Sequence, residues 1–413
     1  MGISMWVLYF FAIYFAVFTL LVMLDKGISE EKLKLKKLRK VTIGIPAWNE
    51  EASIVKTLEH VTKLDYPKEL MQIIVVNDGS KDNTAKFATE FIEKHKDFDI
   101  KLINQENAGK GAALNRAIKE AKHEVFICLD ADSYVEENAL RKMLPYLEEE
   151  NVAVVLPFIK IPKRNSIILK IQWIEYLLNF FLKKISGSID CIQVTPGPFA
   201  VYKKDALIKV GLFDTKTLTE DQEIAMRLQK YNYKLVQLLD VNVLTEPPTT
   251  LKGWHNQRNR WYKGTIFNLI KHKSWIFNPK YGEFGIWQMP MIIASALLTL
   301  TFGYFVLFKS IAKPILQKLY DLSYIDFNVG LMVEKSFERF NWVDMNFMLI
   351  FFTFVVFLFT LTWIIGAHKF SNESFFKKGL VATPLYMIVY PYLLFFVWAS
   401  VFFDLARRKV QKW

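Results

Sequence analysis

Short runs of aliphatic and β-branched residues alternate, from residue 41 onward, with stretches whose apolar positions recur every three or four residues. The runs at 41–45, 73–76, 101–103, 125–129 and 152–156 are apolar without polar alternation, the pattern of strands buried on both faces. Between them, 51–64, 82–94, 111–121 and 136–148 read as helices; in the first, Ile54, Leu58 and Val61 share one side. This alternation predicts an α/β fold with a mostly parallel, Rossmann-like sheet. A further helical stretch, 252–270, follows the strand-rich region.

Longer apolar runs flank this pattern. Residues 5–24, 286–308, 345–366 and 380–403 have the length of membrane spans and are rich in aromatic residues. The first lacks a basic leader and a small-residue cleavage site, so it reads as a retained anchor. The lysines and Arg39 between residues 32 and 40 follow it, which places the next domain on the cytosolic side. Stretch 166–185 has a broad apolar face interrupted by Lys170, Glu175, Lys183 and Lys184. It reads as an interfacial helix, with a core helix of the soluble domain as the alternative. The expected organisation is an anchor and basic linker (1–40), a catalytic domain (41–265), and an interfacial and membrane part (266–413). One conflict arises. Counting crossings puts the C-terminus outside, whereas Arg407, Arg408, Lys409 and Lys412 favour the inside. Another crossing or re-entrant segment within 309–341 would reconcile the two.

Composition narrows the class. A chain of 413 residues with 52% hydrophobic and 23% charged residues suits a soluble domain joined to spanning helices. The net charge of +12 fits anionic lipid or a phosphorylated substrate, because the lysines crowd beside apolar segments. No groove-reading motif appears, which argues against nucleic acid. Cys128 and Cys191 lack metal-ligand spacing, and Cys128 lies in an apolar run, as a buried thiol would. The six histidines share no helical spacing suited to a metal; His255 stands out only by adjoining Gln257.

The polar clusters carry the chemistry. Pro46, Asn49 and Glu50, Asn77-Asp78-Gly79, and Asp130-Ala131-Asp132 each follow a strand directly, and Lys110 follows one within a few residues. Open α/β sheets bind ligands at such strand ends. Asp130 and Asp132 suit a hard divalent cation, Mg²⁺ or Mn²⁺, bridging a diphosphate; alone, Asp-x-Asp is a common turn. Asp78 is placed to accept hydrogen bonds from a donor's base or ribose, or to form an Asx-turn or helix cap. Lys110, between Gly109 and Gly111, can meet a phosphate but does not fit a Walker loop. Thr219-Glu220-Asp221 opens a helix, either as a plain cap or with Asp221 as a general base. Arg260 lies one turn after Gln257, beside Trp261, able to grip a diphosphate or to meet lipid headgroups.

Taken in this order, the motifs resemble the membrane-integrated family-2 inverting glycosyltransferases, among them hyaluronan, chitin, cellulose and poly-N-acetylglucosamine synthases. The resemblance covers about 41–264 plus the flanking membrane layout, and it implies a GT-A-type domain using a nucleotide sugar, commonly a UDP-sugar, with a divalent metal. It implies that Asp78 and Asp130 hold the nucleotide, Asp132 the metal, and Lys110 the diphosphate, with Asp221 as base. Gln257, Arg260 and Trp261 match the signature of processive synthases, and Gly197 in Thr195-Pro196-Gly197-Pro198-Phe199 resembles the loop near the acceptor, beside Glu220. A single N-terminal span departs from members that carry two. The expected activity is extension of a β-linked glycan at the plasma membrane, with export as a further expectation. The alternatives are single transfer onto a lipid acceptor, or a transporter or receptor with an inactive cytosolic domain; intact Asp130, Asp132 and Asp221 oppose the last. Sugar, linkage, accessory subunit and oligomeric state stay open.

Overall fold

The computed structural model describes residues 3–26, 33–324 and 347–407. The N-terminal apolar run is helix α1 (Ile3–Lys26). The soluble domain then alternates β1 (Val41–Ala47), α2 (Ile54–Thr62), β2 (Met71–Asp78), α3 (Thr84–Lys94), β3 (Asp99–Gln105), α4 (Lys110–Glu120) and β4 (Val125–Cys128). It continues with β5 (Ser133–Val135), α5 (Ala139–Met143), β6 (Val152–Lys160), α6 (Ile167–Gly187), β7 (Ala200–Lys203), α7 (Lys204–Lys209), α8 (Glu220–Lys230), β8 (Lys234–Thr245) and α9 (Leu251–Lys271). Helices α10 (Met289–Tyr304), α11 (Lys313–Ser323), α12 (Phe347–Phe370) and α13 (Leu380–Ala406) complete the described chain.

The eight strands form one sheet in the order β3-β2-β1-β4-β7-β6-β8-β5. Every residue of β2 is buried, as its unbroken apolar run predicts. The pairs β1–β2, β1–β4, β2–β3 and β6–β8 are parallel. The sheet is mostly parallel, as expected, with two antiparallel departures: β7 inserts antiparallel to both β4 and β6, and β5 pairs antiparallel with β8. Strands β5 and β7 have three and four residues, too short to leave a periodic signal. The chain steps outward from β1 to β3, then returns to place β4 on the other side of β1. That reversal opens a crevice between the ends of β1 and β4, where ligands of open α/β sheets bind.

Helix α6 has two packed sides. Its inner side packs on Phe158, Ile159 and Leu239 of β6 and β8, and its outer side meets Ile364, Ala367 and Ala382 of α12 and α13. It is the layer between the sheet and the long apolar helices. Phe284–Tyr304, Ile350–Phe370 and Leu380–Ala406 are each long and apolar enough to cross a membrane, and Tyr9–Asp25 is a shorter apolar helix. Pro384 and Pro391 lie inside α13, and Pro290 lies inside the continuous helix Phe284–Tyr304, just after the helical turn Phe284–Gln288. Helices α1 and α12 run side by side in the same direction, with Tyr9 bonded to Thr353 at 2.9 Å and Phe15 packed on Trp363. Residues 325–346, most of the segment in which another crossing was considered, and the basic tail from Arg408 lie outside the described residues.

Candidate active site

Strands β1, β2 and β4 end at the crevice and deliver Pro46 to Glu50, Asp78, and Asp130 with Asp132. Asp78 is buried, and its two oxygens accept from Gln105 Nε2 (2.7 Å) and the N–H groups of Ala108 (2.9 Å) and Gly109 (2.8 Å). It therefore shapes the loop before α4 and caps no helix; Asp82, not Asp78, bonds Thr84 at the start of α3. Asn49 is tied to the β2 end, donating its N–H to Ser80 Oγ (3.0 Å) and accepting from the Lys81 N–H (2.9 Å). Glu50 accepts from Ser53 Oγ at 2.5 Å. Burial pushes its carboxyl above the usual range, and Asp132 and Asp130 add to that rise.

The loop shaped by Asp78 aims Lys110 across the crevice. Its Nζ lies 2.6 Å from Asp130 Oδ1 and 3.8 Å from Glu220 Oε1. Gly197 closes on the same pair: a Cβ there would lie 2.5 Å from both Asp130 Oδ1 and Lys110 Nζ, so only glycine lets this backbone approach. The loop carrying Gly197 is anchored by Thr195, whose N–H and Oγ1 both donate to the Asp221 carbonyl (3.2 and 2.8 Å). Residues far apart in sequence, in β4, α4, the 195–199 loop and α8, thus meet at one ion pair.

Asp221 and Glu220 occupy the first turn of α8. Burial pushes the Asp221 carboxyl above the normal aspartate range even though Lys110 and Arg260 oppose the rise. Glu220 is raised in the same way, with Lys110 opposing. Arg260, on α9, is therefore within electrostatic reach of both acids, while the Arg258 guanidinium lies with Cζ 4.5 Å over the Trp261 ring and donates from Nη1 to Gln257 Oε1. Asp132 is raised by burial and by its neighbour Asp130, against a hydrogen bond from Ser133 (3.1 Å).

Three features had no legible signal in sequence. The first is a buried ion pair: Arg258 and Glu175 of α6 meet at 2.7 Å, at 0% and 3% side-chain exposure. Second, Glu223 is fully buried and accepts from Arg227 (2.7 Å), Lys271 (2.5 Å) and His272 (3.1 Å). Burial disfavours its charge, yet His272, Arg227 and Lys271 outweigh that and hold the carboxyl down at about 2. This clamp fixes α8 to the end of α9. Third, Asn268 donates to Thr219 Oγ1 (3.0 Å) and Gln222 Oε1 (3.2 Å), tying α9 to the residues on either side of Glu220 and Asp221. His255, two residues before Gln257, is engaged with Ser400 Oγ of α13 (3.0 Å).

Gly264 makes the α8–α9 contact possible, since a Cβ there would overlap Thr219 Oγ1 and Cγ2. Helix propensity alone favours Gly264→Ala by about 1 kcal/mol. The contact reverses that. Gly264→Ala is expected to displace Thr219 and its two acidic neighbours and to cut kcat by about 10²-fold, the scale of an ångström-sized misplacement. Single-turnover kinetics beside a thermal melt check it; unchanged turnover would show that α9 can yield without moving α8.

A mostly parallel sheet with acids at the β1–β4 crevice, beside long apolar helices, is the arrangement that the sequence resemblance implies for a glycosyltransferase. Residues 42–211 match the glycosyl transferase family 2 pattern, and the chain belongs to that family. A poly-beta-1,6-N-acetyl-D-glucosamine synthase of Staphylococcus epidermidis is 30% identical over 380 residues, which cover 85% of this chain and 88% of that protein. The synthase of the same name from Staphylococcus aureus (strain COL) is 34% identical over 234 residues, 56% of each chain. Among solved structures, a mannosyltransferase from Pyrobaculum calidifontis in complex with GDP-Man and Mn²⁺ covers 89% of this chain and 98% of its own, at 18% identity and a TM-score of 0.56, which establishes the shared fold.

Proposed function

We propose that this glycosyltransferase takes N-acetylglucosamine from a UDP-sugar and adds it to a growing β-linked polysaccharide on the cytosolic face of the membrane. Its similarity along nearly the whole length of a named polysaccharide synthase supports the substrate class. The observation that carries the chemistry is the convergence of Asp130, Lys110, Glu220 and Gly197 at one point, with Asp221 anchored to the same loop.

In this reading the Asp78-ordered loop and Asp130 seat the nucleotide, with Pro46, Asn49 and Glu50 forming the β1 side of its pocket. Lys110 and Arg260 meet the diphosphate, which gains one negative charge as the anomeric C–O bond breaks and its electron pair leaves with the nucleotide, and Gln257 and Trp261 border the acceptor side with Gly197. Asp221 accepts the proton of the attacking sugar hydroxyl; one direct displacement inverts the anomeric carbon. Its raised carboxyl suits a base, because proton affinity grows as the carboxylate is desolvated.

Asp132 and Asp130 fit a divalent cation. Asp130 Oδ1 is buried with Lys110 as its charged partner, and the adjacent like charge keeps Asp132 proton-hungry, a state that a cation relieves. Among the described residues no group of three or more His, Cys, Asp or Glu side chains is placed to hold an ion, so donor phosphate oxygens would complete the shell around Mg²⁺ or Mn²⁺. When bound, such an ion offsets charge on the departing diphosphate.

Purified protein in lipid nanodiscs, given radiolabelled nucleotide sugars one at a time, tests the reading. The expected result is UDP release with UDP-N-acetylglucosamine and a ladder of products, both abolished by EDTA and restored by Mg²⁺ or Mn²⁺. A single lipid-linked product would overturn chain extension, and full activity in EDTA would overturn the metal assignment.

A further inference from the structure

Helix α13 qualifies as a membrane span by length and composition, yet both of its ends are fastened to the catalytic half of the protein. At its start, Glu373 makes a two-pronged contact with Arg164 (3.0 and 3.3 Å), and Lys160 donates to the Ser371 carbonyl (3.3 Å). Lys160 closes strand β6 of the sheet. At its finish, Asp404 pairs with Lys263 at 2.6 Å. Lys263 adjoins Gly264, whose backbone rests on Thr219, two residues from Asp221. A helix of 27 residues is about 40 Å long. A crossing helix of that length would carry one end the full depth of a bilayer, roughly 30 Å of hydrocarbon, away from the catalytic side. Neither end is there.

The middle of α13 is held as well. Tyr390 donates to Glu175 of α6 (3.1 Å), and Asn259 of α9 donates to Ser400 (2.8 Å). Tyr262 stacks on Trp398 at 4.5 Å, and Ile168 near the start of α6 packs into the cluster around Val397 and Trp398. Ala382, near the start of α13, packs instead in the cluster that holds Phe181 and Ile185, at the end of α6. The two helices therefore run antiparallel, side by side, along the layer above the sheet. On the other side of α13, Val381, Ile388, Phe396 and Phe403 recur every seven or eight residues and are each more than half exposed. Helix α13 is apolar nearly all round, so composition alone fits a span; its placement follows instead from one face pinned at Tyr390, Ser400 and Asp404, with an open apolar stripe on the other. The basic residues agree: Lys377 and Lys378 precede α13 and Arg407 follows it, so both flanks carry the cytosolic mark.

We propose that α13 does not cross the bilayer but lies along its inner surface, strapping α6 to α9, with its apolar stripe among the lipid acyl chains and the C-terminus on the catalytic side. This rests on the reading above that the catalytic domain sits against a membrane. It removes the conflict between the crossing count and the basic tail without another span. It also explains why the strap is pinned where it is. Helices α6 and α9 frame the site, and α13 joins them across Glu175, Asn259 and Lys263.

Cysteine labelling tests it with little background, because the two native cysteines are buried. Single cysteines replace the exposed residues Lys96 on the catalytic domain, Ser374 before α13 and Ala406 at its end. Each variant is treated with a membrane-impermeant maleimide in intact cells and in inverted vesicles. All three are expected to label from one and the same side, the exposed side of inverted vesicles. Ser374→Cys and Ala406→Cys labelling from opposite sides would overturn the proposal. All three labelling only in intact cells would overturn the cytosolic placement of the domain while leaving the disposition of α13 supported. As a second measurement, a fluorophore on Ile388→Cys, at the middle of the helix, is expected to be quenched several-fold more by shallow than by deep lipid-borne quenchers; the reverse order would mean that α13 spans.

Discussion

Asp221→Asn is expected to lower kcat by about 10²–10⁴-fold, the usual contribution of a positioned general base. The substitution keeps the oxygen that accepts from the Gln222 N–H (2.8 Å), and the Thr195 contacts go to the Asp221 main-chain carbonyl, so the local fold should persist. Lys110 and Asp130 are untouched, so donor affinity is expected to stay within a few-fold. The pH profile supplies an independent check. A base works ionised, so the rate falls as pH drops through its pKa. Burial raises that pKa above the ordinary value of about 3.9, which moves the acid limb of kcat/KM toward neutrality. In the Asn variant the residual rate should lose that limb. Stopped turnover with retained donor binding and a flattened acid side supports the role; turnover equal to wild type would remove Asp221 from the chemistry.

Glu175→Leu is expected to destabilise the protein by about 3–5 kcal/mol, because Arg258 would keep its charge in a fully buried place without a partner. On the usual size scaling, that lowers the melting temperature by on the order of 10 °C. Arg258→Met in the Glu175→Leu background should recover most of the loss, since an apolar pair of similar volume does not carry the desolvation cost. Recovery will stop short of wild type, because Trp254 Nε1 and Tyr390 Oη also use the Glu175 carboxylate. Turnover should not recover with stability: Arg258 stacks on Trp261 and donates to Gln257, so the double variant leaves that signature unsupported. Thermal melts and sugar transfer measured on the wild type, Glu175→Leu and the double variant separate the two effects. A double variant as unstable as Glu175→Leu would mean that the site cannot repack around apolar side chains.

The strand ends were readable because each acid directly follows a run that can only be a buried strand. Asp78 after 73–76 and Asp130 after 125–129 are such cases, and both lie at the crevice. What each side chain does there was not readable. Asp78 turned out to spend its oxygens on the loop before α4, and Lys110 pairs with Asp130, because partners 20 to 31 residues away leave no local pattern. The antiparallel insertion of β7 was missed for a related reason: four residues carry too little periodicity to announce a strand or its direction. Arg258 sat in plain view between Gln257 and Arg260, but nothing in its neighbours told it apart from a surface cation.

Apolar periodicity and the order of polar clusters were enough to determine an α/β domain between membrane-length helices and which acids stand at its strand ends. Those properties depend on residues near one another in sequence, where spacing translates directly into a shared face or edge. Only the tertiary structure decided which charges are buried in pairs, why Gly197 and Gly264 must be glycine, and that α13 rests against α6 and α9. Hydropathy measures the cost of leaving water and is blind to direction. A helix that crosses lipid and one that lies along it, held at Glu175, Asn259 and Lys263, have the same composition and differ only in what their polar atoms meet.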